Sequence, residues 1–211
     1  MPTTSTPALK PRKTPRQARS EATVEAIYDA TIQVLLADGV ARLTTTRVAE
    51  RAGVSVGTMY QYFPHKQALL HAILKRHLEG IVAAVEAAGE EYKGRRLAAI
   101  SDALVAAYLG AKMANFETTR ALYRVAPELD LAALQNGISA RIDKTVTTAL
   151  ASASDARFAD LRSVAITLQA VVTGATRTVL ERETSSAMLK IIANELPKMC
   201  RAYLRAAAKG A

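Results

Sequence analysis

Past residue 20 the chain carries only three prolines, Pro64, Pro127 and Pro197, and its apolar residues recur at helical spacing instead of alternating as in strands. Val24, Ile27, Tyr28, Thr31, Val34 and Leu35 form such a stripe, with neighbours three and four residues apart. The same region is rich in Ala, Leu, Glu, Arg and Lys, which favour helix. Spacing and propensity together predict an all-α fold of about nine helices, over residues 20–38, 45–52, 55–62, 65–91, 95–113, 117–125, 129–152, 157–183 and 186–207. Breaks are expected at Gly39, Gly53, Pro64, Gly89 with Gly94, Pro127 and residues 152–155. Pro197 predicts a kink or an early end in the last helix.

The first 20 residues differ. They hold four of the seven prolines together with Lys10, Arg12, Lys13, Arg16 and Arg19, and no acid. That composition cannot bury enough apolar area to offset chain entropy, so residues 1–19 read as a disordered basic arm. The arm supplies five of the nine net positive charges of the 211-residue chain. Residues 21–66, by contrast, carry four Lys or Arg against five acids and come out at −1. The overall basicity points to a polyanionic partner, and the arm carries the long-range attraction.

Helix length separates two domains: short helices over residues 20–64 suit a compact three-helix unit, and long ones fill residues 65–211. In the latter, stripes such as Leu97, Ile100, Leu104, Tyr108 and Ala111 suit a helix buried on several sides. No uninterrupted apolar run approaches the roughly 20 residues of a membrane span, and no secretory h-region opens the chain. With one cysteine, Cys200, no internal disulfide can form, so the expected setting is cytoplasmic, with no membrane partner. His65, His71 and His77 are six apart, which does not align them on one helix face, and no HExxH, paired cysteine or Gly-rich phosphate loop occurs. No catalytic residue, metal or cofactor is therefore expected.

The informative stretch is residues 44–63, where two short helices flank one glycine. Thr44 suits an N-cap, Val48, Ala49 and Ala52 give a small apolar face, Gly53 can end the helix in the left-handed conformation, and Ser55 can cap the next. This is helix-turn-helix grammar, in which the second helix enters the major groove of DNA. Val56, Gly57, Thr58 and Gln61 are small or hydrogen-bonding, as base edges require. Thr45, Tyr60, Tyr62 and Lys66 carry donors at positions suited to phosphates, and Lys66 opens a helix just after Pro64. Met59 and Phe63 read as core.

Residues 23–70 resemble the N-terminal domain of tetracycline-repressor-like (TetR) transcriptional regulators, through the run from Val48 to Phe63 and the following Lys66 and Leu69. Where that family commonly has Leu, Met59 is a volume-conserving change. The resemblance implies a homodimeric repressor that leaves operator DNA when its C-terminal domain binds a small molecule. It places Thr45, Tyr60, Tyr62 and Lys66 at phosphate-contacting positions and Val56, Gly57, Thr58 and Tyr60 facing bases. It also implies a dimer through helices over about 157–183 and 186–207, and a two-fold dimer doubles the reach of one recognition helix. For the ligand pocket, polar groups in apolar surroundings suggest Tyr108, Phe116, Tyr123, Arg124, Gln169 and Thr173. The rival readings are an all-α enzyme and a basic protein that binds RNA or an acidic partner; activation in place of repression is not written in the sequence.

Overall fold

The computed structural model describes residues 18–181 and 186–210, so residues 1–17 of the expected basic arm lie outside the described residues. Nine α-helices follow one another among them: α1 Ala18–Asp38, α2 Thr45–Ala52, α3 Val56–Tyr62, α4 Lys66–Glu91, α5 Leu97–Met113, α6 Phe116–Val125, α7 Ala132–Ala151, α8 Leu161–Glu181 and α9 Ser186–Ala207. Short 3-10 turns at Val40–Arg42 and Ala126–Glu128 precede α2 and follow α6. The chain divides into two compact units, one taking α1 through His77 with Arg120–Leu131, the other Leu78–Thr119 with the residues from Ala132 onward. Helix α4 therefore contributes its first part to one unit and its remainder to the other.

In the first unit Ile27, Leu43, Val48, Met59, Phe63 and Leu69 are almost completely buried. Tyr28 packs on Phe63 with ring centroids 5.8 Å apart. Two side chains tie α2 to α1: Arg47 donates to Asp38 at 3.1 Å and Arg51 to Gln33 at 2.7 Å. Thr31, in the apolar stripe of α1, is buried without penalty because its hydroxyl donates to the Ile27 carbonyl at 2.7 Å.

In the second unit α5 packs on α7 and α9, and α8 on α7 and α9, around Ile100, Leu104, Val146, Leu150, Leu168, Leu196 and Leu204. Gly89 sits where α4 passes closest to α7: a Cβ built on it would lie 2.7 Å from Thr145 Cγ2. The loop after α7 is pinned by Asp155, whose Oδ1 accepts from the Leu97 amide at 2.7 Å and whose Oδ2 accepts from Arg96 at 3.0 Å. The amide bond, first, and the Arg96 guanidinium hold its carboxyl below the usual carboxylate range.

Two expectations are corrected. Residues 157 and 158, expected to open a helix, belong instead to a strand, β1 Ala156–Phe158, paired antiparallel with β2 Ala208–Gly210 through Arg157 and Lys209. Helix periodicity cannot reveal a ladder whose partner lies some 50 residues further along. Of the two outcomes expected at Pro197, an early end is excluded, since α9 continues past it; the packing of Leu196, Cys200 and Leu204 against the core offsets the missing amide bond. One described helix, Leu161–Leu180, does have the length and composition of a membrane span, with mean hydropathy 1.2.

Candidate nucleic-acid interface

The turn between α2 and α3 is fixed at each joint by a local hydrogen bond. Thr44, in extended conformation, accepts from the Arg47 amide at 3.2 Å and so caps α2. Gly53 ends that helix at φ 67°, and the Val54 amide reaches back to the Ala49 carbonyl at 3.0 Å, the six-to-one bond of a Schellman turn. Ser55 then accepts from the Thr58 amide at 2.9 Å, and its hydroxyl also bonds that of Thr58 at 2.8 Å. With both caps and a left-handed glycine inside twelve residues, the chain has little freedom in how α3 leaves α2.

That geometry sorts the side chains of α3. Met59, Tyr62 and Phe63 turn inward and are buried, whereas Val56, Gly57, Tyr60 and Gln61 are exposed and Thr58 is half-buried. No side-chain contact crowds Gly57: a Cβ there would meet only Ser55 Oγ, at 3.7 Å. Thr45, first in α2, donates to the Tyr60 hydroxyl at 3.3 Å. Lys66, half-buried, donates to the Val40 carbonyl at 3.5 Å. Tyr62, also expected at a phosphate, is buried with its ring beside that of Phe63, centroids 6.5 Å apart.

His65 has a role that the sequence did not disclose. Its Nδ1 accepts from the Ala68 amide at 3.1 Å, so it caps α4. A histidine is a rare enough cap that only the offset to the Ala68 amide, three residues on, could have signalled it.

A model of the family described as "Bacterial regulatory proteins, tetR family" matches residues 27–73, and a second, "Tetracyclin repressor-like, C-terminal domain", matches residues 97–204, more than half of the chain. The protein belongs to the tetR family. Among curated relatives, the HTH-type transcriptional repressor KstR of Mycolicibacterium smegmatis is 44% identical over 62 residues, which are 29% of this chain and 30% of that protein. The nucleoid occlusion factor SlmA of Actinobacillus pleuropneumoniae is 46% identical over 39 residues, 18% of this chain and 19% of its own. The tetR-family chain thus spans under a third of the length of the curated relatives it matches. Solved structures extend the likeness in fold: SmeT, the repressor of the Stenotrophomonas maltophilia multidrug efflux pump SmeDEF, superposes with a TM-score of 0.67 at 22% identity, over 89% of this chain and 93% of that one. A tetR-family regulator from Mesorhizobium loti gives 0.68 at 14% identity, over 92% and 100%.

Of the six residues expected at a ligand pocket, three share one cavity in the second unit of this tetR-family chain. Tyr108, Gln169 and Thr173 line an apolar cavity of about 40 Å³ with Val85, Leu104, Val172 and their neighbours. Phe116, Tyr123 and Arg124 do not line it: all three stand on α6, which contributes nothing to its walls, and Arg124 is exposed. Beside Tyr108 lies Lys112, buried, with its ammonium 5.6 Å from the ring centre and its pKa lowered by burial to about 8. Cys200 is buried as well, and burial, with the Asp102 carboxylate nearby, pushes its thiol up to about 11, away from the thiolate a nucleophile needs.

Proposed function

We propose that this chain is a transcriptional repressor that binds operator DNA as a homodimer in the cytoplasm and is released from it by a small molecule. The observation that carries the reading is the doubly capped turn at Gly53, which leaves Val56, Gly57, Tyr60 and Gln61 exposed on α3 while Met59, Tyr62 and Phe63 anchor the same helix in the core. In the major groove Gln61 offers the bidentate partner adenine takes, and Val56 and the Thr58 methyl suit thymine methyl groups. Thr45, Tyr60 and Lys66 contact phosphates; the ammonium of Lys66 keeps donors to spare beyond the one on Val40. Thr44 and Ser55 shape the turn, and Tyr62 serves the core.

Dimerisation is supported by apolar side chains left uncovered on the last two helices: Ile166 and Val171 on α8, and Met188, Ile191 and Met199 on α9. Burying these faces against their symmetry mates removes them from water and sets two recognition helices for two half-sites. The effector enters at the cavity of Tyr108, Gln169 and Thr173, whose present 40 Å³ holds about one water, so a ligand acts by favouring a conformation in which it is larger. The KstR and SmeT likenesses, both to repressors, support repression over activation.

A gel shift of the full chain with the DNA flanking its own gene, against RNA of equal length, tests the reading. Retardation of the duplex DNA with a stoichiometry of two chains per site is expected. Preferential retardation of the RNA contradicts it.

A further inference from the structure

A second cavity in the second unit lies apart from the one assigned to the effector, and its walls are basic. It encloses about 400 Å³, within the range of small-molecule pockets, and is bounded by the first turn of α5, the last turns of α9 and the β1–β2 ladder. Four cationic side chains, Arg96, Arg201, Arg205 and Lys209, meet there with one carboxylate, Asp155. Asp155 is engaged by Arg96 at 3.0 Å, and Arg201 is paired at 2.9 Å with Asp102. Arg205 and Lys209 are exposed and carry no ion pair among the described residues, which leaves two positive charges uncompensated at the cavity.

Two further features favour negative charge. Leu97, Ala98 and Ala99 of the first turn of α5 line the space, so the partial positive end of that 17-residue helix faces it, with its Leu97 amide already held by Asp155. Ser101, fully buried and also in the lining, has a hydroxyl with no hydrogen-bond partner among the described residues, a cost that a ligand oxygen would remove. The remaining walls, Leu204 with alanines 98, 99, 156 and 208, are apolar.

We propose that this cavity binds an organic anion with one oxyanion head and a short apolar body. Arg205 and Lys209 hold the head, with the α5 amides and the Ser101 hydroxyl behind it, and the body lies on Leu204 and the alanines. Because the walls join α5, β1 and the end of α9, an occupant ties the C-terminal strand to the body of the unit and raises its stability by mass action.

The test is calorimetric titration and thermal unfolding of the full chain with hexanoate, hexyl phosphate, inorganic phosphate and 1-hexanol. Binding of one alkyl anion per chain is expected, the tighter of the two assigning the head group, with inorganic phosphate far weaker and hexanol inert. Arg205→Ala and Lys209→Ala each weaken it about tenfold, the cost of one charge-assisted hydrogen bond, while the melting temperature without ligand stays at the wild-type value because both side chains are exposed and make no ion pair among the described residues. Ser101→Ala weakens it by a smaller factor. Three results overturn the proposal: no binding of either alkyl anion, binding that the Arg205→Ala, Lys209→Ala double variant retains, or binding that inorganic phosphate reproduces in full.

Discussion

The Thr45 hydroxyl donates to the Tyr60 hydroxyl across 3.3 Å, joining the first residue of α2 to the exposed face of α3. Since Thr45 supplies the proton of that bond, the proton of Tyr60 is free, and the phenol, 44% exposed, can offer it to a phosphate. Tyr60→Phe removes this donor and leaves Thr45 in water. The fold should lose under about 1 kcal/mol, because the bond is exposed. Affinity for DNA should fall about fivefold on every duplex alike, since phosphate contacts carry no sequence information. Fluorescence anisotropy on the operator and on a scrambled duplex reads both values; a loss confined to the operator would assign Tyr60 to bases.

Gly57 separates folding from recognition. A Cβ at this position would find only Ser55 Oγ near it, at 3.7 Å, so Gly57→Ala meets no obstacle within the protein. Helix propensity then predicts a gain of up to about 1 kcal/mol in stability. If α3 lays its backbone against base edges at this point, the same methyl group weakens operator binding at least tenfold. A variant that melts higher and binds as well as wild type would move the groove contact elsewhere on α3.

Gly89 gives the opposite result. A methyl group there would stand 2.7 Å from Thr145 Cγ2, and Thr145 is held in place by its hydroxyl on the Arg141 carbonyl at 3.0 Å. Gly89→Ala should destabilise the protein by about 1–3 kcal/mol, as overpacking does, despite the better helix former. Adding Thr145→Ser, which deletes Cγ2 and keeps the hydroxyl, should restore most of the loss in urea unfolding. Failure of the second substitution to restore stability would locate the strain in the backbone of α4.

Lys112 makes stability depend on pH. Its amine is held at about 8 by burial against 10.5 when the chain is unfolded, so between those values the unfolded chain binds the extra proton. Stability therefore rises as pH increases from about 8 to about 10.5, and below pH 8 the full penalty, of the order of 3 kcal/mol, is present. Lys112→Met should remove that rise and stabilise the chain most at neutral pH and below. Urea midpoints across the window give the answer, and parallel curves for the two proteins would contradict it.

What the sequence disclosed followed from how local each signal is. Thr44, Gly53 and Ser55 act on amides within five residues of themselves, so their roles stand in the order of the letters. Met59 and Phe63 were legible as core for the same reason, helical spacing on a short helix. The strand Ala156–Phe158 was hidden because its partner begins at Ala208. Residues Phe116, Tyr123 and Arg124 were placed in the pocket from chemistry alone; periodicity tells which face of α6 is apolar, not which cavity that face meets. Likewise Arg96 and Arg205, over a hundred residues apart in the chain, meet at one cavity that no spacing rule anticipates.

Whether the exposed face of α3 reads base pairs turns on Gln61. Equilibrium binding of wild type and Gln61→Ala is measured at one salt concentration, on the DNA flanking the gene and on a scrambled duplex of the same composition. Wild type is expected to prefer its own DNA by about 10³-fold or more, the usual margin of specific over non-specific binding. Gln61→Ala is expected to cost about tenfold on that DNA, the worth of one bidentate base contact, and nothing on the scrambled duplex. Equal affinity of wild type for both duplexes, or an equal loss on both, would contradict it.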